Sequence, residues 1–597
     1  AGTSTFAGQT ISNLGTVTTA DINGGTVDGI TSLSMPSGTV NIQATHPTGT
    51  SNVGFGSGTF ENIEAGGTLN TAMGVNALQD LTTGDNNTAI GYQTALNATT
   101  ASGTIAVGSQ AIGLGITTGN YNTAIGYQSG YDLTSGAFNF FGGAQAGANA
   151  TTATGTTALG YIALGTGVLT GNYNTAVGYQ AGQDLTSGAY NFFGGYAAGA
   201  DVTTADYTIA IGSQAIGLGV TTGDYNIALG RFAGYDLTSG SNNFFAGSYA
   251  GFNVTTGIYN ISQGYQAGYN ATTGSYNIFQ GFGAGYNATT VSNSIGIGRS
   301  AFGLGVLTGA HNIGIGYQAG YDLTSGTYNV FSGHQAGANV TTGIGNVFSG
   351  YQAGEFATTS NYAIAIGHNA IGLGVLTGTD NTAIGRGAGA DLTSGTYNNF
   401  IGNGAGANVT TADNTVAIGR DAIGLGVLTG ANNVAIGYDA GYDLTSGASN
   451  VFTSYRAGYN LTTGSYNVFT GHQAGSNATT ASNTIAIGKD VISSGVLTGA
   501  DNIAIGNTAG NDLTSGTNNI FQGFGAGANA TTGSQNLAIG YQAINAGILT
   551  GTENVAIGRE AGNDLTSGIR NSFIGYGAGA NATTADYSIG IGQSALG

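Results

Sequence analysis

A glycine returns every 17 or 18 residues with the same short segment in front of it, which restricts this chain to architectures made by stacking copies of one unit. The segment reads Asn122-Thr-Ala-Ile-Gly126-Tyr-Gln-Ser-Gly and returns as Asn174-Thr-Ala-Val-Gly178-Tyr-Gln-Ala-Gly. With that central glycine as a marker, the register runs Gly74, Gly91, Gly108, Gly126, Gly143, Gly160, Gly178, Gly195, Gly212, Gly230 and onward to Gly592, and Ser454 is its one substitution. The 18-residue steps follow coils with the longer turn, such as Gly303-Leu-Gly-Val-Leu-Thr-Gly309, so the extra residue is absorbed in a turn.

A helix is excluded, because glycine every few residues costs about 1 kcal/mol each time relative to alanine. The pattern instead predicts an all-β parallel β-solenoid, a β-roll of about 31 coils. Each coil is expected to hold two short strands, for example Asn312–Gly316 and Tyr317–Tyr321, followed by the turn Asp322–Gly326. Alternation puts Ile485 and Ile487 on one face, read as the core, and Ala486 on the other. Segments such as Asn467-Val-Phe-Thr-Gly471 and Asn277-Ile-Phe-Gln-Gly281 move the bulk by one position, so large and small side chains are expected to compensate between layers. Thirty intervals at about 4.8 Å predict a rod of roughly 140 Å. Two regions follow: residues 1–66, a β-rich attachment module, and residues 67–597, the repetitive shaft.

Composition removes several rivals. Collagen needs glycine at every third place and abundant proline, whereas the only prolines are Pro36 and Pro47. A chain that is 41% hydrophobic, with 32 Tyr and 24 Phe, has more to bury than a disordered one. A net charge of −19 with eight Lys and Arg argues against nucleic acid. No apolar run reaches membrane-spanning length, so no membrane insertion is expected. Without cysteine there is neither a disulfide nor a thiolate metal site.

Two columns are candidates for function. Six residues after the marker stand Asp132, Asn149, Asp184, Asp201, Asp236, Asn253, Asn270, Asn287, Asp322 and Asn339, read as a structural ladder that closes turns through the backbone two residues on. Calcium binding is the functional alternative, although one carboxylate per rung is a poor share of six to eight oxygens. Eleven turns of this column form Asn-x-Thr sequons, at Asn97, Asn149, Asn253, Asn270, Asn287, Asn339, Asn408, Asn460, Asn477, Asn529 and Asn581, which arise automatically in such a repeat.

Directly after the marker stand Tyr92, Tyr127, Tyr161, Tyr179, Tyr265, Tyr317, Tyr351 and Tyr438, interspersed with Arg231, Arg299, His334, His368, Arg386, Arg420, His472, Lys489 and Arg559. A column with those charges belongs at the surface. It is read as a possible surface-binding column for polysaccharide through ring faces and polar tips, against the alternative that flat side chains stack between rungs and shield the coil. No Ser-His-Asp set or metal cluster can be assembled from the histidines, so neither an enzyme nor a cofactor is expected.

Thr484-Ile-Ala-Ile-Gly488, Asn432-Asn-Val-Ala-Ile-Gly437 and Ser588-Ile-Gly-Ile-Gly592 resemble the repeat of trimeric autotransporter adhesin heads, and similar repeats occur in bacteriophage tail-fibre shafts. Thr18 to Asp28 is similar to segments of such fibres. The resemblance implies a left-handed, homotrimeric β-roll, extracellular, on a cell surface or on a virion, that attaches to a host-surface glycan or another receptor. The period here is longer than in the adhesin heads, which enlarges the turns. The alternative is an extracellular filament polymerising end to end through its N-terminal module and an open terminal coil. Ice binding by the turn threonines and a fibre-borne depolymerase are further, weaker readings.

Overall fold

The computed structural model describes residues 33–35, 38–40, 51–63 and 66–596. Most of the expected attachment module, including Thr18 to Asp28, lies outside the described residues. Within it, Leu33–Met35 pairs antiparallel with Gly38–Val40.

The rest is an all-β parallel β-solenoid of about 32 turns, without a helix among the described residues. The ladder starts one rung before the first marker counted from sequence, since Val53–Phe55 pairs in parallel with Thr71–Met73. Two compact units divide the chain, the first ending at Ile162 and the second starting at Ala163. The second carries the strands from Thr175–Val177 to Ile589–Ile591, each hydrogen-bonded to the next in sequence.

Each rung has one strand of three residues, and the segment expected as a second strand is a chain of turns. Around Gly316 (φ +133°) the backbone passes through left-handed conformations at Gln318 (φ 53°), Gly320 (φ 59°) and Tyr328 (φ 58°). A β-strand cannot alternate the sign of φ in this way. The turns are nevertheless hydrogen-bonded rung to rung. Gln318 N–H donates to the carbonyl of Arg299 on the preceding rung, while Gly320, Asp322 and Thr324 N–H donate to Ala336, Ala338 and Thr341 on the following one. The coil therefore satisfies its backbone without a second sheet.

The strands also face the other way from the sequence reading. Ala486 is fully buried, whereas Ile485 is half-buried and Ile487 is 38% exposed. Of the two faces that alternation separates, the one carrying the central side chain points inward. That position holds Ala in half of the rungs and fully buried Phe in many others, such as Phe193, Phe245, Phe400, Phe452, Phe521 and Phe573. Four residues after the marker the chain turns inward again, and there the sizes are reversed. Phe rungs carry Gly at that place, as in Phe521 with Gly527, and many Ala rungs carry Ile, as in Ala538 with Ile544. Large and small thus alternate across one narrow interior, which close packing requires.

The marker position strongly favours glycine. A Cβ on Gly350 (φ +136°) would sit 2.5 Å from the carbonyl oxygen of Gly367 on the next rung. Ser454 occupies this place at φ 101°, a conformation that costs a side-chain-bearing residue on the order of 1–3 kcal/mol. Replacing Ser454 by Gly is expected to stabilise its rung by about 1 kcal/mol, read as slower amide exchange at Ile436 to Thr470. Faster exchange there would reject the strain.

Candidate functional site

The residue after the marker projects outward because the marker's positive φ turns the chain away from the strand. Tyr92, Tyr127, Tyr161, Tyr179, Tyr265, Tyr317, Tyr351 and Tyr438 are exposed, and so are the nine basic side chains that share their column. Rung spacing places flat groups at stacking distance. In the second unit an unbroken run starts with Tyr265 on Phe282 (5.2 Å between centroids). Arg299 follows, its guanidinium 5.6 Å from Phe282 and 5.8 Å from Tyr317. Tyr317, His334, Tyr351 and His368 then stack at 4.9–5.0 Å. A second run joins Arg420, Tyr438, Tyr455 and His472, and Arg559 sits between Tyr541 and Tyr576.

This geometry changes what the column can bind. Within each run the ring faces are covered by the next ring or guanidinium, so a sugar cannot lie flat on them. The column offers edges instead: phenol hydroxyls, imidazole nitrogens and guanidinium N–H groups, one per rung. The charges are unevenly neutralised. Arg420 pairs with Asp421, Lys489 with Asp490, and Arg559 with Glu560, while His472 Nδ1 lies 3.4 Å from Asp490 Oδ1. Among the described residues no carboxylate lies within ion-pair distance of Arg231, Arg299 or Arg386. Near the C-terminal end, the hydrogen bond from Arg570 holds the Glu553 carboxyl below its usual range, and Glu553 raises the guanidinium in turn.

The turn column behaves differently from its sequence reading. Several of its asparagines reach to the next rung: Asn253 Nδ2 donates to Asn270 Oδ1, Asn270 Nδ2 to Asn287 Oδ1, and Asn287 Nδ2 to the Leu304 carbonyl. Asn97, Asn408, Asn460, Asn477 and Asn529 do likewise, which engages the nitrogens a glycan would need. The aspartates of the column stand one to a rung. Among the described residues no group of three His, Cys, Asp or Glu side chains gathers in metal-binding geometry.

Burial raises the carboxyl pKa of Asp132, Asp184, Asp236, Asp322 and Asp443, and for Asp201 the charge of Asp184 adds to burial. A carboxyl raised in the folded state contributes stability that is fully present below its unfolded pKa, near 3.8, and is lost as pH rises through the folded value. The melting temperature is therefore expected to be higher at pH 4.5 than at pH 7. A lower value at pH 4.5 would overturn this reading of the column.

Two features escaped sequence reasoning. Four residues before the marker runs a column of fully buried asparagines, in which Asn329 Nδ2 donates to the Gly343 carbonyl and Asn329 Oδ1 accepts the Asn346 N–H. One residue earlier lies a second outward aromatic column, where Tyr173, Tyr190, Tyr207 and Tyr225 stack at 4.9–5.2 Å. The Tyr-Asn pair that recurs before strands such as Thr175–Val177 and Phe192–Gly194 was the signal for both. No family model matches the chain, and no curated protein matches it.

Proposed function

We propose that this chain is the shaft of an extracellular fibre, on a cell surface or a virion, that spans distance and presents its outward columns for attachment to surface glycans. The observation that carries this reading is the uniformity of the rungs. The same backbone bonds repeat from rung to rung and set one outward position per rung, filled in most rungs by Tyr, His, Arg or another polar or aromatic side chain, so contacts accumulate with the number of rungs. A repetitive ligand can then be held by many weak edge contacts, where a single pocket would need a few strong ones. Homo-oligomerisation, as the repeat's likeness to trimeric adhesin heads implies, would multiply the columns again.

Cryo-electron microscopy of the purified chain tests this. Discrete rods with a repeat of about 4.8 Å and free ends are expected. End-to-end polymers would replace the shaft by a filament subunit, and globular particles would reject both.

A further inference from the structure

The carboxylates are unevenly distributed along the solenoid. Between Asp236 and Asp322 the chain carries no Asp or Glu at all, although its net charge is −19. Five rung steps separate those two aspartates, about 24 Å along the ladder. The middle of this band is therefore about 12 Å from either, beyond the screening length of about 8 Å at physiological salt. In the band the turn column holds three successive asparagines, Asn253, Asn270 and Asn287, which bond to one another as amides.

The same rungs carry a concentration of aromatic rings. Phe252, Tyr269 and Tyr286 continue a parallel stack from Tyr235 at 5.0 Å spacing. Beside it stand Tyr265 and Phe282, exposed by 44% and 53%. Tyr249 bridges the two rows, lying 5.6 Å from Phe252, 6.1 Å from Tyr265 and 6.2 Å from Tyr269. Arg231 and Arg299, neither with a carboxylate partner among the described residues, frame the patch.

We infer that this acid-free aromatic band, from Phe252 to Arg299, is where a second copy of the chain docks side by side. Two chains of the same strong negative charge repel along most of their length. The band is the stretch where that repulsion is screened out and where burying exposed ring surface is favourable. A neutral ligand would gain nothing from the missing carboxylates; a second copy gains from them and brings the same exposed rings to bury against the patch. The inference concerns how shafts associate and does not depend on what the fibre attaches to.

The test restores the charge with residues the fold already uses. Asp occupies the turn position in the rungs of Asp184 and Asp201, two in succession, so Asn270→Asp with Asn287→Asp is compatible with the coil. Asn460→Asp with Asn477→Asp makes the same change in the equivalent amide pair outside the band. Phe282→Asn removes a ring at a column position where Asn403 and Asn507 stand naturally. Sedimentation of the full-length chain is expected to show self-association, weakened at least tenfold by the Asn270/Asn287 pair and by Phe282→Asn. Added salt should restore association of the aspartate variant alone, and the Asn460/Asn477 pair should associate like the parent. A parent that is monomeric at every concentration, or two aspartate pairs with equal effects, would overturn the inference. Rod-shaped monomers would overturn it while leaving the fibre reading intact.

Discussion

Replacing Asn329 by Ala is expected to open the solenoid locally, at a cost of about 3–5 kcal/mol. The side chain is fully buried and makes bonds above and below its own rung. Its removal leaves the Gly343 carbonyl and the Asn346 N–H without their partners. Each orphaned buried group costs about 1–3 kcal/mol, and the methyl group that remains fills neither gap. Asp cannot substitute, since it lacks the donor for Gly343 and would bury a charge. Because rungs are coupled mainly to their neighbours, the damage should stay near the substitution. Hydrogen exchange is the measurement: protection should fall from about Asn312 to Ser360 and stay unchanged beyond. Unaltered protection at Asn346 would show that the buried amide column does not hold the rungs together.

The second large effect is a repair. Phe521→Ala empties a space that the ring fills over Gly510 and Gly527, and large-to-small changes of this kind cost about 3–5 kcal/mol. Gly527→Ile alone overfills the same space, since a Cβ there would lie 2.6 Å from Cδ1 of Phe521. Together the two changes recreate the combination of Ala538 with Ile544 found one rung later, where Ile544 already accepts φ 47°. The double variant is therefore expected to be more stable than either single one, with a coupling of about 3 kcal/mol in denaturant unfolding. Additive losses would mean that the two positions do not share one interior space.

Much of this architecture was legible in the glycine spacing. The marker could be read because its backbone conformation and its closeness to the next rung's carbonyl leave no room for a side chain, so the constraint survives in nearly every copy. Which face of the strand points inward was not legible. Alternation in Thr484-Ile-Ala-Ile-Gly488 separates Ile485 and Ile487 from Ala486, but parity does not say which set is inside. Bulk suggested the isoleucines; the narrow interior of a three-residue strand selects the alanine. The second strand was misread for a related reason, since Tyr317 to Tyr321 has strand-like composition, and only the left-handed backbone at Gln318 and Gly320 reveals the turns. The tyrosine and arginine column could be found by register, yet its consequence depends on a distance. At about 5 Å between neighbours, rings that looked available to sugars cover one another.

The alternation of core sizes has a consequence for how such a chain finds its own alignment. Near-identical rungs invite a strand to settle one step away from its proper neighbour, and every backbone bond would still form. The interior forbids it, because a shift of one step sets Phe521 where Ala538 or Ala504 belongs. From Ala365 to Phe573 the order of Ala with Ile, Ala with Gly and Phe with Gly recurs for the most part every third rung. A slip of three rungs therefore meets little resistance there, and misaligned or exchanged segments should differ from the native arrangement by whole triplets. The interruptions, such as the paired Phe331 and Phe348 and the inverted rung of Gly296 and Phe302, act as landmarks on an otherwise uniform ruler. The paired layers come back only at Phe452 and Phe469, so the interruptions together give a repetitive molecule one frame in which its rungs agree.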